Sequence, residues 1–327
     1  MRILWLNTQS PYFNLAAEEY LLKQTDEDIF MLWQNADSVI VGRYQNTLAE
    51  VNMDFIESHH VTVARRITGG GAVFHDLGNL NFTFIQQVRP HEKEVDFQRY
   101  LTPIVGALRS LGAPAEFSGR NDLTIGGRKI SGNAMVFHQD RVLEHGTLLF
   151  STIPDHLVAA LKVDPAKFAD KAVKSVRSRV TNISEHLPTP MSVTEFKDYL
   201  LQYMVEQWQT PVSTLTPEEE ACIQQMADAK NATWEWNFGR SPQYAYQQKM
   251  RTAGGTIEVM MDVQQGIIRD VRFFGDFFSK QDPEVFAQAL IGQPHSKAIL
   301  ESILEAIDIS QYFNNVSKKE LLAILSA

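Results

Sequence analysis

Three consecutive glycines, Gly69–Gly71, interrupt the stretch RRITGGGAVFHDLGNLNFTF from Arg65 to Phe84. Glycine loses more backbone freedom on ordering than any other residue, so such a run sustains neither helix nor strand. It does allow close approach, and successive N–H groups can crowd around an anion as they do in phosphate-cradling loops. Arg65 and Arg66 precede it directly, and guanidinium forks match phosphate and carboxylate geometry. A flexible hairpin turn is the plain alternative, and the arginine pair favours the anion site. Two familiar phosphate loops do not fit. No Gly-Lys-Ser/Thr closes the run, as a Walker loop requires. Position 74 is Phe where a dinucleotide fingerprint needs its third glycine.

A second stretch, GRNDLTIGGRKISGNAMVFHQDRVLEHGTLLF, runs from Gly119 to Phe150. It reads as strand, tight Gly126-Gly127 turn, strand, turn and strand. Lys129 lies between glycines in an apolar-alternating context, where a compact cation can face an oxyanion. A solvated hairpin lysine is the ordinary alternative. Asp122 is placed to orient Lys129, to hold a metal, or to close an Asx turn. A third stretch, from Lys162 to Ile183, holds six basic and two acidic residues between positions 162 and 179. It reads either as a solvated face or as a loop that closes over a polyanion. His75, His138 and His145 lie near these stretches without the close spacing of a metal pair such as HExxH, so no transition-metal site is expected.

The 327 residues allow two domains. With 44% hydrophobic and 21% charged residues there is ample material for a core. The net charge of −9 argues against a general nucleic-acid binder. No apolar run approaches a membrane span, and the first residues lack a signal-peptide layout. The single cysteine, Cys222, excludes an intrachain disulfide and a cysteine-based zinc cluster. A cytoplasmic monomer with no nucleic-acid or membrane partner is the simplest expectation.

Strands are expected at Arg2–Leu6, Ile29–Trp33, Ser38–Val41, Val61–Arg65, Asn79–Ile85 and Asp140–Phe150. Helices are expected at Asn14–Lys23, with Asn14 as N-cap, and at Gln98–Leu111, Thr194–Gln207 and Pro217–Ala229. This mixture lacks strict alternation, which indicates an α+β fold. A boundary near Pro242 divides a domain of residues 1–242 from one of residues 243–327. The second has strands at Tyr244–Thr252, Gly255–Asp262 and Ile267–Phe274, joined by AGG and QQG turns, then helices at Pro283–Leu290, Ser296–Ala306 and Ser317–Leu325. Trp234, Trp236 and Phe238 alternate at period two, which would turn all three to one side for interdomain packing at a hinge.

Four segments in order, RRITGGGAVFHDLGN (65–79), GRNDLTIGGRKISGNA (119–134), HGTLLF (145–150) and KSVRSRVTNI (174–183), resemble the lipoate–protein ligase A family. The resemblance spans nearly the whole chain. It implies a mixed-sheet, biotin/lipoate ligase-like catalytic domain followed by a small C-terminal α+β accessory domain. It implies that lipoate and Mg-ATP give lipoyl-adenylate and pyrophosphate. A lysine on lipoyl domains of 2-oxoacid dehydrogenase E2 subunits, or on the glycine-cleavage H protein, then takes the acyl group and releases AMP. Octanoate is a possible second substrate.

Carried over by position, Arg66, Gly71, Ala72, Val73, Phe74 and Lys129 contact ATP or the adenylate, with Lys174, Arg177 and Arg179 in an adenylate-binding loop. Lys129 also touches the lipoate carboxyl and is the catalytic group. Gly70, Gly71, Val73 and His75 belong to the lipoate site, and Asp122 is a magnesium or orienting ligand. His75 and Asp76 match the family motif. Val73, Phe74, Phe84 and Met135 are candidates for an apolar slot.

Three alternatives were set against this reading. An ATP-independent octanoyl or lipoyl transferase needs a cysteine nucleophile, and Cys222 is remote from every motif. A biotin–protein ligase shares the mechanism but fits the extended motifs less well. A non-catalytic lipoate-binding or docking protein would not need Arg66, Lys129 and the glycine run together.

Overall fold

The computed structural model describes residues 1–88, 96–119, 121–161, 179–239, 246–264 and 266–326. In chain order the first elements are β1 (Arg2–Trp5), α1 (Pro11–Gln24), β2 (Ile29–Trp33), β3 (Ser38–Val41), α2 (Thr47–Glu50), α3 (Met53–Ser58) and β4 (Thr62–Arg65). There follow β5 (Val73–His75), β6 (Asn79–Gln87), α4 (Phe97–Ser110), β7 (Glu116–Ser118), β8 (Asp122–Ile125), β9 (Arg128–His138), β10 (Arg141–Leu149) and α5 (Pro154–Ala160). The next are α6 (Val193–Trp208), β11 (Val212–Ser213), α7 (Pro217–Met226), a π-helical turn over Ala227–Asn231 and α8 (Trp234–Asn237). The chain closes with β12 (Tyr246–Thr252), β13 (Gly255–Gln264), β14 (Ile267–Gly275), α9 (Pro283–Leu290), α10 (Lys297–Ala306) and α11 (Lys318–Ser326). The α+β expectation holds.

Eight strands form one mixed sheet in the order β11-β1-β2-β6-β10-β9-β8-β7. Strands β2, β6 and β10 are buried along almost their whole length, as central strands covered on both faces must be. One face carries Phe30, Phe82, Phe84, Val142 and Leu148 against α4 and α6, through Leu101, Ile104, Phe196, Leu200 and Met204. Ser192 and Glu195 close a capping box at the start of α6, which contributes about 1 kcal/mol. The other face carries Met31, Ile85 and Leu143 against Leu15, Ala16, Leu21 and Leu22 of α1. Helix α1 is itself wedged between the sheet and the α7–π-turn segment, so its burial runs round most of its circumference.

A smaller sheet, β4-β3-β5, stands beside α1 and packs Val39, Val41, Val63 and Phe74 into its own core. The C-terminal strands form a third sheet, β12-β13-β14, closed by α9, α10 and α11 around Phe273, Phe286 and Phe313.

Two sequence expectations fail here. The N-cap of α1 is Ser10, whose side chain accepts from the Phe13 N–H at 3.4 Å, and not Asn14. Pro11 suits the first turn because its missing N–H needs no partner there. Residues 234–237 are helical, so Trp234 and Trp236 do not share a face. Trp234 is 63% exposed, while the Trp236 ring lies under Arg43 and Lys230, and its Nε1–H donates to the Arg65 carbonyl at 2.9 Å.

Candidate active site

The site follows from sheet order. Trp33 pairs with Asn81, and Asn81 with Thr147. The Thr147 hydroxyl accepts from the Gly132 N–H at 3.2 Å, and Gly132 pairs with Asp122. Paired residues on neighbouring strands face the same way, so these side chains form a row across β2, β6, β10, β9 and β8. From Trp33 to Gly132 the row spans three strand spacings, about 14 Å. The α1 face of this row floors a cavity of about 150 Å³. Leu15, Ile40, Gly70, Gly71, Ala72, Val73 and His75 complete its walls, with Arg66 behind the glycines.

Lys129 stands at one end. A register shift between Leu123 and Thr124 sets Thr124 opposite Lys129 and Leu123 opposite Ser131, leaving Ile130 as the extra residue of a bulge. The bulge puts Lys129 and Gly132, three apart, on the same face. The Lys129 side chain lies across Gly132, and a methyl group there would stand 2.8 Å from Nζ. Nζ meets Asp122 Oδ1 at 2.8 Å with both side chains partly exposed, so the cation is oriented without being sequestered. The Gly126-Gly127 turn that delivers it has positive φ at both residues, the conformation glycine supplies at a two-residue hairpin.

The two arginines diverge. Arg66, 5% exposed, donates to the carbonyls of Ile40, Gly69 and Gly71 and to Thr68 Oγ1, at 2.7–3.2 Å. It gathers the carbonyls of the glycine run inward and holds the loop in shape. Burial lowers its pKa to about 10, which still leaves it charged near neutrality. Arg65 is fully buried on the far side. It serves the carbonyls of Gly42, Gln45, Trp236 and Asn237 and the Thr47 hydroxyl. Of the expected arginine pair, Arg65 is therefore a structural tie and only Arg66 reaches the cavity. The C-terminal segment also reaches the loop: the Gly70 N–H donates to the Phe277 carbonyl at 3.3 Å. Phe278 enters the core of the large sheet beside Phe97.

A chain of hydrogen bonds underlies the cavity. Trp33 Nε1 can only donate, and it reaches Thr83 Oγ1 at 2.8 Å. Thr83 in turn donates to Glu18 Oε1 at 2.6 Å, which also accepts from His145 Nδ1 at 2.8 Å. His145 Nε2 then meets Thr68 Oγ1 at 2.9 Å, the atom that receives Arg66 Nε. His75 is buried against the Trp33 ring, with centroids 6.0 Å apart. Desolvation, then the charges of Arg66 and His145, lowers its pKa to about 3, so its ring is neutral.

The cavity thus gathers Arg66, Gly70, Gly71, Ala72, Val73, His75 and Lys129 from the expected set, with Asp122 bound to Lys129. Phe74 points away into the small sheet's core, and Phe84 and Met135 belong to the opposite face of the large sheet. Of the four slot candidates only Val73 lines the cavity. Asp76 accepts from the N–H groups of Gly78 and Ile153 at 2.9 Å each, a turn-fixing role. Lys174 and Arg177 lie outside the described residues. Arg179 is exposed and precedes Val180, which pairs with Lys129, while Thr181 N–H donates to the Lys129 carbonyl at 3.0 Å. Cys222 is exposed on α7 and lines no part of the cavity. Sequence reading missed Leu15, Glu18 and Trp33, which lie outside every quoted motif, and Asn81 and Thr147, which lie inside quoted stretches but come together only through the sheet.

An apolar slot closed at one end by an oriented lysine and walled by a glycine loop defines an acyl-activating ligase class. Residues 10–205 match a family model described as the lipoyl protein ligase A/B catalytic domain. Residues 241–325 match one described as the bacterial lipoate protein ligase C-terminus. Lipoate–protein ligase 1 of Staphylococcus aureus is 41% identical over 322 residues, 98% of each chain. Lipoate–protein ligase LplJ of Bacillus subtilis is 38% identical over 324 residues, 98% of each chain. The chain therefore belongs to the lipoate–protein ligase family.

Among solved structures, a bipartite archaeal lipoate protein ligase from Thermoplasma acidophilum superposes with a TM-score of 0.68. The identity is 32%, over 75% of this chain and 98% of that one. A lipoate–protein ligase A bound with ATP gives a TM-score of 0.62 at 30% identity, over 73% of this chain and 98% of that one. Plasmodium falciparum LipL1 shares the fold with a TM-score of 0.81 at 24% identity, over 99% of this chain and 98% of that one.

Proposed function

We propose that the protein is an ATP-dependent lipoate–protein ligase that joins lipoate to ATP in the Lys129 cavity and then transfers the lipoyl group to a protein lysine. In the first step a lipoate carboxylate oxygen attacks the α-phosphorus, the α–β P–O bond breaks and pyrophosphate leaves. In the second an amine attacks the acyl carbon of lipoyl-AMP, the acyl C–O bond breaks, AMP leaves and the amine gives up a proton. The observation that carries this reading is Lys129 Nζ, oriented by Asp122 at the end of the slot. Two anions must meet in the first step. A fixed cation there offsets their repulsion and the charge that develops in the transition state.

An eight-carbon acyl chain is about 10 Å long at ~1.5 Å per bond, which fits within a row of about 14 Å. Its carboxyl belongs at Lys129 and its dithiolane ring at Trp33, with Gly70, Gly71, Val73 and His75 as walls. The glycine run, with Ala72, Val73 and Phe74 contributing backbone, receives the adenylate phosphate. Arg66 supports it by holding the loop and supplying positive field. Arg179 is assigned to the nucleotide, and the family resemblance assigns Lys174 and Arg177 to it as well.

Among the described residues no three His, Cys, Asp or Glu converge as a metal cage. Mg²⁺ would be carried on the ATP phosphates, as an ion that takes one or two carboxylates plus substrate oxygens. Asp122 is the carboxylate beside Lys129, and Mg²⁺ would add Lewis-acid charge to the phosphates.

The acceptors are lysines on E2 lipoyl domains and the glycine-cleavage H protein, and octanoate is a candidate second acyl substrate. The two family models support division into a catalytic domain, 1–242, and an accessory domain, 243–327. We read the protein as a cytoplasmic monomer with no nucleic-acid or membrane partner. Among the described residues no helix is long and apolar enough to cross a membrane.

Exchange of labelled pyrophosphate into ATP tests the first step. Wild type should exchange with lipoate and not with biotin. Lys129→Ala should lose about 10²–10³-fold, the worth of one preorganised donor. Absence of lipoate-dependent exchange by wild type would refute the reading.

A further inference from the structure

The end of the cavity opposite Lys129 is built around an asparagine pair that determines what His75 can do. Asn14 Nδ2 donates to the carbonyls of Thr8 and Gln34, at 3.3 and 3.0 Å. Carbonyls only accept, so that atom is the nitrogen. The same Nδ2 meets the Asn35 side chain at 2.8 Å, which must therefore present Oδ1. The Asn35 Nδ2 is then directed at His75 Nδ1, 3.1 Å away. A donor faces that ring nitrogen, so Nδ1 accepts and the ring proton resides on Nε2. An imidazolium would set N–H against N–H.

His75 Nε2 is buried and has no partner among the described residues, although the residue lines the cavity. Asn81 also lines the cavity, and its amide pairs with that of Asn79 at 2.9 Å, which leaves one buried polar atom on each of the two without a partner among the described residues. A buried orphan donor beside the slot favours an acceptor on whatever fills it, because an unmade buried hydrogen bond is costly.

We propose that the Asn14–Asn35 pair locks His75 as an Nε2–H donor, and that this donor selects an acyl substrate whose far end carries sulfur acceptors over a plain alkyl chain. The inference rests on the ligase reading, which sets the carboxyl at Lys129 and the ring at Trp33. Sulfur is a weak acceptor, but a terminal methyl offers none. Asn14 and Asn35 act through His75 and are positioning residues. The charged and titratable groups around the ring are Arg66 and His145, with Glu18 beyond His145.

Long-range ¹H–¹⁵N correlation spectra of the ¹⁵N-histidine protein read the tautomer directly, with His75 assigned by its loss in His75→Gln. The expected result is neutral Nε2–H between about pH 6 and 8, with a resonance that moves on adding lipoate and not octanoate. An Nδ1–H tautomer or an imidazolium would overturn the proposal.

Asn35→Asp preserves the acceptor for Asn14 but draws the ring proton to Nδ1. The lipoate-over-octanoate ratio of kcat/KM in pyrophosphate exchange should then fall about tenfold, the scale of one hydrogen bond, chiefly through KM for lipoate. The variant should also acquire a pH dependence that wild type lacks. A purely structural role would slow both substrates equally, and an unchanged ratio refutes the donor. If Asn35→Asp does not fold, His75→Phe is read the same way: a falling ratio supports the proposal and a constant one overturns it. Wild type with normal exchange and an unchanged variant ratio refutes only this inference, whereas wild type without exchange refutes the ligase reading itself.

Discussion

Strand β10 has two faces with opposite habits. Toward α1 it presents His145 and Thr147, each joined to hydrogen-bond partners and to the cavity. Toward α4 and α6 it presents Val142, Glu144 and Leu148 among phenylalanines. Glu144 is fully buried and neither oxygen has a partner among the described residues. Desolvation, then the nearby Glu18, raises its pKa well above the ordinary carboxyl value. The orphan nitrogen nearest the α1 face, His75 Nε2 on β5, belongs to a residue that borders a space a ligand can fill, while Glu144 is enclosed by packed side chains and is a burden on the fold.

Substitutions on the two faces should separate function from stability. The largest effect is expected at Gly132. A methyl there meets only the mobile end of Lys129, so Gly132→Ala should melt within about 1 kcal/mol of wild type, the ordinary cost of a minor substitution. It should lose roughly 10²-fold in pyrophosphate exchange through a misplaced cation. Gly146→Ala should cost chiefly stability, because its Cβ meets packed side chains, although Gly146 also borders the cavity. Its Cβ would stand 1.8 Å from Asn133 Oδ1 and 2.6 Å from the Phe82 ring. Chemical denaturation should show a loss of about 1–3 kcal/mol from overpacking.

Glu144→Met should gain about 1 kcal/mol at pH 8, by removing an unpaired buried polar group. The sign of its pH dependence is fixed. Above the unfolded carboxyl value near 4.3 the unfolded chain gives up a proton that folded Glu144 keeps, so wild-type stability falls as pH rises, and the variant's advantage widens. His75 imposes the opposite slope. Its folded pKa of about 3 lies below the unfolded value, so stability is lost as pH drops below about 6.5. Denaturation midpoints across pH should show both slopes, the alkaline one alone vanishing in Glu144→Met. The smallest effect, within about 0.5 kcal/mol, is expected for Trp234→Ala at an exposed position.

What the sequence made legible is local. The glycine run, the Gly126-Gly127 hairpin and Lys129 are contiguous signatures, and the structure brings them to one cavity. The three C-terminal strands and three helices also lie where alternation and helical spacing place them. What escaped is non-local. Asn14 looks like a helix cap because asparagine favours that position, yet it sits one turn inside α1 and points at Asn35. Glu18 has no sequence signature of its role, and it is a buried partner of His145, 127 residues away in sequence. Trp33, Asn81 and Thr147 become neighbours only because β2, β6 and β10 are adjacent. Adjacent arginines had no sequence feature to tell them apart, since strand alternation alone sends one to the loop and the other to the tie with α8.

Phe277 and Phe278 are consecutive, yet the first is interior to the C-terminal segment and the second to the large sheet's interior. A single peptide bond thus staples two separate oil drops. Heat cannot liquefy one without uncovering a ring of the other, so calorimetry should record a single melting event from a chain whose family signatures count as two.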